Sequence, residues 1–173
     1  MQRLNLYLID MKYIRDLHRI DDNVPSVSPQ IGKESRVFLG VVVLCNGKKY
    51  CVPLSHPKKK HNHMRGSIDF TKVYDGDKMI GVLNFNLMLP VSDIVLQPVD
   101  LKIHRNDSES IRHYKRLCQK EIDWCRKHQD DIVNKANVLY SMYTSDQKFS
   151  ARPRCLKFPE LEKACKKYED KHT

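Results

Sequence analysis

The stretch from Arg36 to Leu54, "RVFLGVVVLCNGKKYCVPL", constrains the fold more than any other part of this sequence. Two runs of β-branched and apolar residues flank the dipeptide Asn46-Gly47. Asn and Gly accept the positive φ angles of a two-residue hairpin turn, so this dipeptide is a strong signal of a tight turn. The stretch therefore predicts an antiparallel hairpin, around which the rest of the chain has to be arranged.

Further strand signals lie on both sides of this hairpin. The run "LNLYLI" at Leu4–Ile9 alternates in the manner of a first strand. Two more strands are predicted around Asp75-Gly76, and "DIVLQPVDL" predicts another short strand. A series of strands joined mostly by short turns favours an antiparallel and curled sheet.

Helical periodicity dominates the second half of the chain. Apolar residues recur at helical spacing in Met11–Ile20 and again from Ser108 to Thr144, where the polar run Arg126–Asp131 predicts a break into two helices. A last helix is predicted over "FPELEKACKKYEDKH", with Pro159 in its first position. No repeat or linker is evident. The sequence therefore predicts one α+β domain over residues 1–173, with a highly curved antiparallel sheet surrounded by helices.

The chain is strongly basic, with a formal net charge of +10 and a pI near 9.3. Excess positive charge concentrates polyanions around a protein and speeds their capture, so nucleic acid is the expected partner. No stretch approaches the roughly 18 apolar residues of a membrane span. The first residues also lack the apolar core and cleavage site of a signal peptide. We therefore expect a cytoplasmic protein with no membrane partner.

The cysteines do not have the spacing of a zinc site. None of the six forms a CxxC pair, which zinc ribbons and knuckles use to supply two ligands from one turn. Cys118 and Cys125 are seven residues apart and share one face of the predicted helix. The sequence therefore predicts buried, reduced thiols.

The segment Pro53–His63, "PLSHPKKKHNH", gathers a hydroxyl, three imidazoles and three lysines directly after the hairpin. Three interpretations are open. Its histidines could bind zinc, but the lysines among them repel a cation and no carboxylate is near to orient the imidazoles. It could be a solvated turn, although such a turn usually includes acids and none lies between Pro53 and Gly66. The third interpretation is a site that handles phosphate.

These side chains are the types that metal-independent RNA cleavage requires. In that reaction the 2′-hydroxyl of the RNA attacks the adjacent phosphorus. It needs a base, an acid for the leaving 5′-oxygen, and donors aimed at the developing negative charge. Histidine titrates near neutrality, lysine supplies charge, and serine supplies a hydroxyl donor. No P-loop, GxSxG, GxGxxG or HExxH motif offers a competing site.

The sequence also resembles a known family, the ToxN/AbiQ endoribonuclease toxins of type III toxin–antitoxin systems, and within it the CptN-like branch. Each matching piece is short, but their order and spacing together are specific. The pieces are Lys12–Ile14, Asp21–Pro25, Arg36–Gly40, Tyr50–His61, Gly81–Val91 and Tyr114–Ile122.

The resemblance implies a curved antiparallel sheet with surrounding helices, distantly like the small barrel of MazF-type toxins. It implies RNA cleavage without a metal or other cofactor, leaving a 2′,3′-cyclic phosphate and a 5′-hydroxyl. The implied substrates are cellular and phage RNA. The implied partner is an RNA antitoxin, a repeated pseudoknot that the toxin processes and then binds in a closed toxin–RNA assembly. Some members defend bacteria against phage by abortive infection.

The family's motif, a hydroxyl pair followed by Pro-Lys, is similar to "SHPK" in this chain. Ser55 stands at the first hydroxyl position and Lys58 at the lysine, while His56 replaces the second hydroxyl. The resemblance therefore implies Ser55 and Lys58 at the scissile phosphate, and it leaves His56 as a candidate acid or base. These three residues are the predicted catalytic residues.

The remaining candidates are predicted to bind RNA. Tyr13 and Tyr114 match tyrosines that line the family's cleft, although both could equally be core aromatics with satisfied hydroxyls. Arg36 matches a basic residue just before the family's "FLG" strand, although it could be an ordinary strand-edge charge, and Lys115 follows Tyr114 as in the family. Four residues of the basic segment are predicted to contact phosphates, namely Lys59, Lys60, His61 and His63.

One rival from another functional class remains open at this stage. The chain could be a non-catalytic RNA-binding module in which the basic segment only clamps the RNA backbone.

Overall fold

The computed structural model describes residues 3–25, 38–146 and 148–173. Arg36 and the start of the "RVFLG" run lie outside the described residues. In chain order the strands and helices are β1 (Leu6–Ile9), α1 (Met11–Ile20), β2 (Phe38–Cys45), β3 (Lys48–Ser55), β4 (Phe70–Asp75), β5 (Lys78–Asn84), β6 (Leu89–Pro90), β7 (Leu96–Pro98), α2 (Glu109–Lys127), α3 (Gln129–Ser145) and α4 (Phe158–His172).

The strands form one antiparallel sheet in the order β4-β5-β3-β2-β1-β7. Strand β3 is central: β2 pairs along one edge of it, while β6 and β5 share the other edge. The pairing of β5 begins only at Leu54 and Ser55, the last two residues of β3. The described strands leave the sheet open, with β4 and β7 at its edges. The predicted α+β class is confirmed, and the distant likeness to a MazF-type barrel stays a prediction.

The predicted hairpin is β2 and β3, joined at Asn46-Gly47. Both turn residues have positive φ, 52° and 78°, as a type I′ turn requires. Gly40 lies opposite Pro53 in this hairpin, and a Cβ there would approach the carbonyl oxygen of Val52 to 2.4 Å. Only glycine fits at that position because the obstacle is backbone.

Local sequence signals also set the helix ends. Ser108 caps α2, since its Oγ accepts a hydrogen bond from the backbone N–H of Ile111 at 3.2 Å. The predicted break between helices falls at His128, between α2 and α3. The predicted last helix is α4, which has Pro159 in its first turn. No helix among the described residues is long and apolar enough to span a membrane.

The core lies between the sheet and the helices. Helix α2 packs against β4 and β5, α3 against β2, and α4 against β6. Glu162 of α4 binds these layers together: its carboxylate accepts hydrogen bonds from the hydroxyls of Tyr50 and Tyr140 at 2.6 and 2.7 Å, and from Lys48 Nζ at 2.6 Å. Burial alone would raise the pKa of Glu162, but these donors outweigh it and lower the pKa.

The cysteines are placed as the sequence predicted, as buried and reduced thiols. The described cysteines are free, and all are buried except Cys165, which is half-buried. No group of three metal-ligating side chains occurs within the described part of the chain.

Replacing Gly40 by alanine should destabilise the protein by at least about 1–3 kcal/mol, because the new methyl group would overlap backbone and the Sγ of Cys51. The matched control is Gly66→Ala, where a Cβ meets no atom within 4 Å. Thermal or urea unfolding of the two variants measures the difference. Equal stability of both would show that β2 and β3 are not packed as described.

Candidate active site

Ser55 is the last residue of β3, and its exposed hydroxyl stands at the end of the sheet. Asn84, the last residue of β5, donates a hydrogen bond from Nδ2 to Ser55 Oγ at 3.1 Å. The pairing of Ser55 with Val82 brings the two strand ends together. The sheet therefore fixes a hydroxyl and an amide beside each other.

The basic segment turns back immediately after Ser55. Lys59–Asn62 forms one 3₁₀ turn. Within it, His61 is 7% exposed, and its Nδ1 accepts a hydrogen bond from the backbone N–H of Lys58 at 2.7 Å. The N–H of His61 in turn donates to the Lys58 carbonyl at 2.9 Å. This reciprocal pair fixes the backbone of Lys58 while its side chain stays exposed.

The protein environment keeps His61 neutral. Burial lowers its pKa, and the charges of Lys60, Lys58 and Lys72 lower it further. A neutral ring whose Nδ1 accepts from Lys58 N–H cannot present that nitrogen to a phosphate. The structure therefore gives His61 a role in positioning the Lys58 backbone, and its predicted contact with phosphate stays a prediction.

The charges that act on His61 include a lysine that the sequence analysis missed. Lys72 of β4 acts on the His61 ring together with Lys58 and Lys60. Asn84 was missed in the same way. Both belong to strands whose pairing brings them to the end of β3, and no local motif marks either residue.

A buried carboxyl lies close to this strand end. Glu121 of α2 is 4% exposed, and its Oε2 lies 3.0 Å from the position of a Cβ on Gly81. The carbonyl oxygen of Ser55 lies 3.5 Å from the same position. Gly81 has no unusual φ, so the missing side chain serves to make room. Burial raises the pKa of Glu121 to about 7.

The predicted RNA-binding residues outside the basic segment are placed differently from one another. Tyr13 is 1% exposed, and its hydroxyl donates to the Pro90 carbonyl, so it is the core aromatic of the alternative interpretation. Lys115 Nζ donates to the Lys102 carbonyl at 2.7 Å and to Asp107 Oδ2 at 2.9 Å, which ties down the loop before α2. The structure therefore gives both residues structural partners.

Tyr114 is closer to the site. It is half-buried on the face of α2 that also carries Cys118 and Glu121, and burial raises the pKa of its hydroxyl. The other predicted residues of the basic segment are exposed, namely His56, Lys59, Lys60 and His63. Ser55, Lys58, Asn84 and Lys72 thus form a basic, hydroxyl-bearing strand end that suits a phosphate group.

Comparison with known proteins points to one family. Residues 5–166 match the family model described as toxin ToxN of the type III toxin–antitoxin system. A curated protein of Pectobacterium atrosepticum named endoribonuclease ToxN is 29% identical over 143 residues, covering 80% of this chain and 81% of that protein. The protein of the same name from Bacillus thuringiensis subsp. kurstaki is 29% identical over 171 residues, covering 95% and 84%.

Solved structures show the same fold. One comes from a study of selective toxin inhibition by a non-coding RNA pseudoknot in bacterial type III toxin–antitoxin systems. It superposes with a TM-score of 0.80 at 26% identity, covering 98% of this chain and 99% of that one. AbiQ, a lactococcal anti-phage endoribonuclease of the type III systems, gives a TM-score of 0.81 at 20% identity and the same coverage, a likeness of fold.

The raised pKa of Glu121 predicts a loss of stability at alkaline pH. The folded state favours the protonated carboxyl. The contribution of Glu121 to the free energy of unfolding is therefore fully present below about pH 4.5 and is lost as pH rises through about 7. The total loss is up to about 3 kcal/mol. Glu121→Gln stays neutral, so at pH 8 it should melt at a higher temperature than the wild type, with little difference at pH 4.5.

Asp77→Asn serves as the control, since Asp77 is exposed and has no side-chain hydrogen bond to a described residue. Parallel melting curves for wild type and Glu121→Gln across this pH range would contradict the buried carboxyl.

Proposed function

Because this chain belongs to the ToxN toxin family of type III toxin–antitoxin systems, we propose that it is an endoribonuclease toxin that an RNA antitoxin holds inactive. Two curated relatives are named endoribonucleases. A structural relative was described with an inhibitory RNA pseudoknot. The basic charge of the chain and the exposed lysines after β3 support an RNA substrate.

The observation that carries the proposal is the juxtaposition of Ser55 and the fixed Lys58 backbone at one strand end. Cleavage by this site needs no metal ion, because RNA supplies its own nucleophile. The 2′-oxygen forms a bond to phosphorus, and the bond from phosphorus to the 5′-oxygen breaks. The 2′-hydroxyl gives its proton to a base, and the leaving 5′-oxygen takes a proton from an acid. The products are a 2′,3′-cyclic phosphate and a 5′-hydroxyl.

Each side chain has a role in this reaction. Lys58 places positive charge beside the phosphorane, where negative charge develops. Asn84 Nδ2 can only donate, so Ser55 Oγ accepts its hydrogen bond and keeps its own O–H free to donate to a phosphate oxygen. His56, exposed beside Ser55, carries one of the two proton transfers. His61 holds the Lys58 backbone in place.

The partner is proposed to be a pseudoknot RNA, processed by the toxin and retained in a closed toxin–RNA assembly in the cytoplasm. Inhibition follows if the retained RNA end occupies the site that cut it. The proposed biological role is defence against phage by abortive infection, in line with the anti-phage description of the structural relative AbiQ.

Lys58→Ala should lower the rate of RNA cleavage by about 10²- to 10³-fold, the usual cost of losing one stabiliser of transition-state charge. Affinity should fall much less, because a single phosphate contact is lost. Cleavage rates on a mixed RNA and affinity for its uncleavable 2′-O-methyl form separate the two effects. The control is Lys78→Ala, at the opposite end of β5 from Asn84. A wild-type rate in Lys58→Ala would remove Lys58 from the mechanism.

Asn84→Ala should lower the cleavage rate about fivefold by releasing the Ser55 hydroxyl from its orientation, because a net hydrogen-bond energy of about 1 kcal/mol is lost. In a Ser55→Ala background the same substitution should cost almost nothing, because no hydroxyl remains to be oriented. Single-turnover rates of the four proteins of this double-mutant cycle measure the coupling. Additive losses would mean that Asn84 acts independently of Ser55.

A further inference from the structure

A second basic feature lies away from the Ser55 site, in a groove between α1 and α4. The groove has a volume of about 550 Å³, and Tyr13 lies at its base. Helix α4 packs against β6, which pairs with Tyr50 and Cys51 near the start of β3, whereas Ser55 ends that strand. Roughly 15 Å of strand therefore separates the two places. No residue of the Pro53–His63 segment lines the groove.

Unpaired positive charge dominates this groove. The described residues of its walls and of the adjoining cleft include six lysines and arginines and two acids, Asp16 and Glu160. Among the described residues, only Arg19 of the six forms an ion pair, with Asp16 at 3.5 Å. The cations without an ion pair to a described residue are Lys12, Arg15, Lys163, Lys167 and Lys171.

The charge on α4 is distributed unevenly between its two sides. Glu162 is engaged by Lys48 and the tyrosines, and Asp170 pairs with Lys166 at 2.8 Å. Both acids line a second cleft along α4, which Lys163 and Lys167 also border. A simply solvated helix would leave its acids free to balance its lysines. Glu162 is thus engaged by Lys48 and Asp170 by Lys166, and neither forms an ion pair with a lysine that lines the groove.

An aromatic stack accompanies the charge. The Tyr168 ring stacks on the His172 ring, with centroids 4.0 Å apart and an angle of 19° between the planes. It also meets the Tyr13 ring in a T-shaped arrangement, with centroids 5.0 Å apart. His172 is exposed, so the outer face of its ring is open to a further planar group. Proteins that hold single-stranded nucleic acid combine these two elements, a basic groove along the backbone and an aromatic face for a base.

We propose that the α1–α4 groove binds a single-stranded segment of RNA, separately from the segment held at Ser55. Cations along both helices contact its phosphates, and a base stacks on His172. A duplex presents no free base face, so the stack selects unpaired RNA. The inference rests on the proposed function, because the bound segment would belong to the same antitoxin or substrate RNA.

The charge is tested with Arg15→Gln/Lys171→Gln, which removes one exposed cation from each helix. The matched control is Lys78→Gln/Lys127→Gln, with the same change in net charge on exposed residues that lie outside the groove. The probes are an unpaired 2′-O-methyl RNA and a hairpin of the same length, neither of which can be cut. For the unpaired probe, the salt slope of log affinity should become shallower by about 1.4 in the groove variant, or about 0.7 per lost phosphate contact. The control should keep the wild-type slope.

The stack is tested with His172→Ala, with both proteins measured at pH 8. This substitution should lower the affinity for the unpaired probe about tenfold, in the range expected for one stacked base, without changing the salt slope. The affinity for the hairpin should fall much less. Circular dichroism and melting curves verify that each variant is folded.

The proposal would be overturned if the groove and control variants showed the same salt slope of log affinity. It would also be overturned if the affinities for the hairpin and for the unpaired RNA fell equally. The proposed function is tested separately by RNA cleavage with the wild-type protein. If the wild type does not cut RNA while the groove variants lose affinity as expected, the nuclease assignment fails and the groove assignment stands.

Discussion

The pairing of β3 with three other strands determines where the chemistry of this protein is located. Strand β2 holds one edge of β3, and the other edge passes from β6 to β5 before ending at Ser55. This arrangement requires Gly40, because any side chain there would meet the backbone of β3. The same pairing carries Asn84 to the Ser55 hydroxyl. The helices complete the core around this strand, and Glu162 links it to α3 and α4.

Electrostatics at the strand end follow from what surrounds each group. The lysines of the basic segment have no acid near them in sequence, which favours a bound polyanion. His61 is buried among these charges and stays neutral, so it can accept the hydrogen bond that shapes the loop. Burial raises the pKa of Glu121. Burial thus favours the protonated form of the carboxyl that lies near the Ser55 carbonyl.

Local features of the sequence predicted local structure well. Asn46-Gly47 predicted the hairpin because its turn depends on two residues alone. The helical periodicity that begins at Ser108 likewise predicted the start of α2, where Ser108 is the cap. Asn84 and Glu121 were missed, since only the register of β5 and the packing of α2 bring them to Ser55. Tyr13 was placed in the cleft on resemblance, whereas packing between α1 and α4 buries it. Sequence patterns carry no information on such long-range burial.

The most direct test of the central claim is to incubate the pure protein with a mixed RNA in EDTA and analyse the ends of the products. The account predicts fragments that carry a 2′,3′-cyclic phosphate and a 5′-hydroxyl, formed at the same rate as without the chelator. Intact RNA that remains bound to the protein would contradict it. That result would identify the basic strand end as a non-catalytic clamp on the RNA backbone.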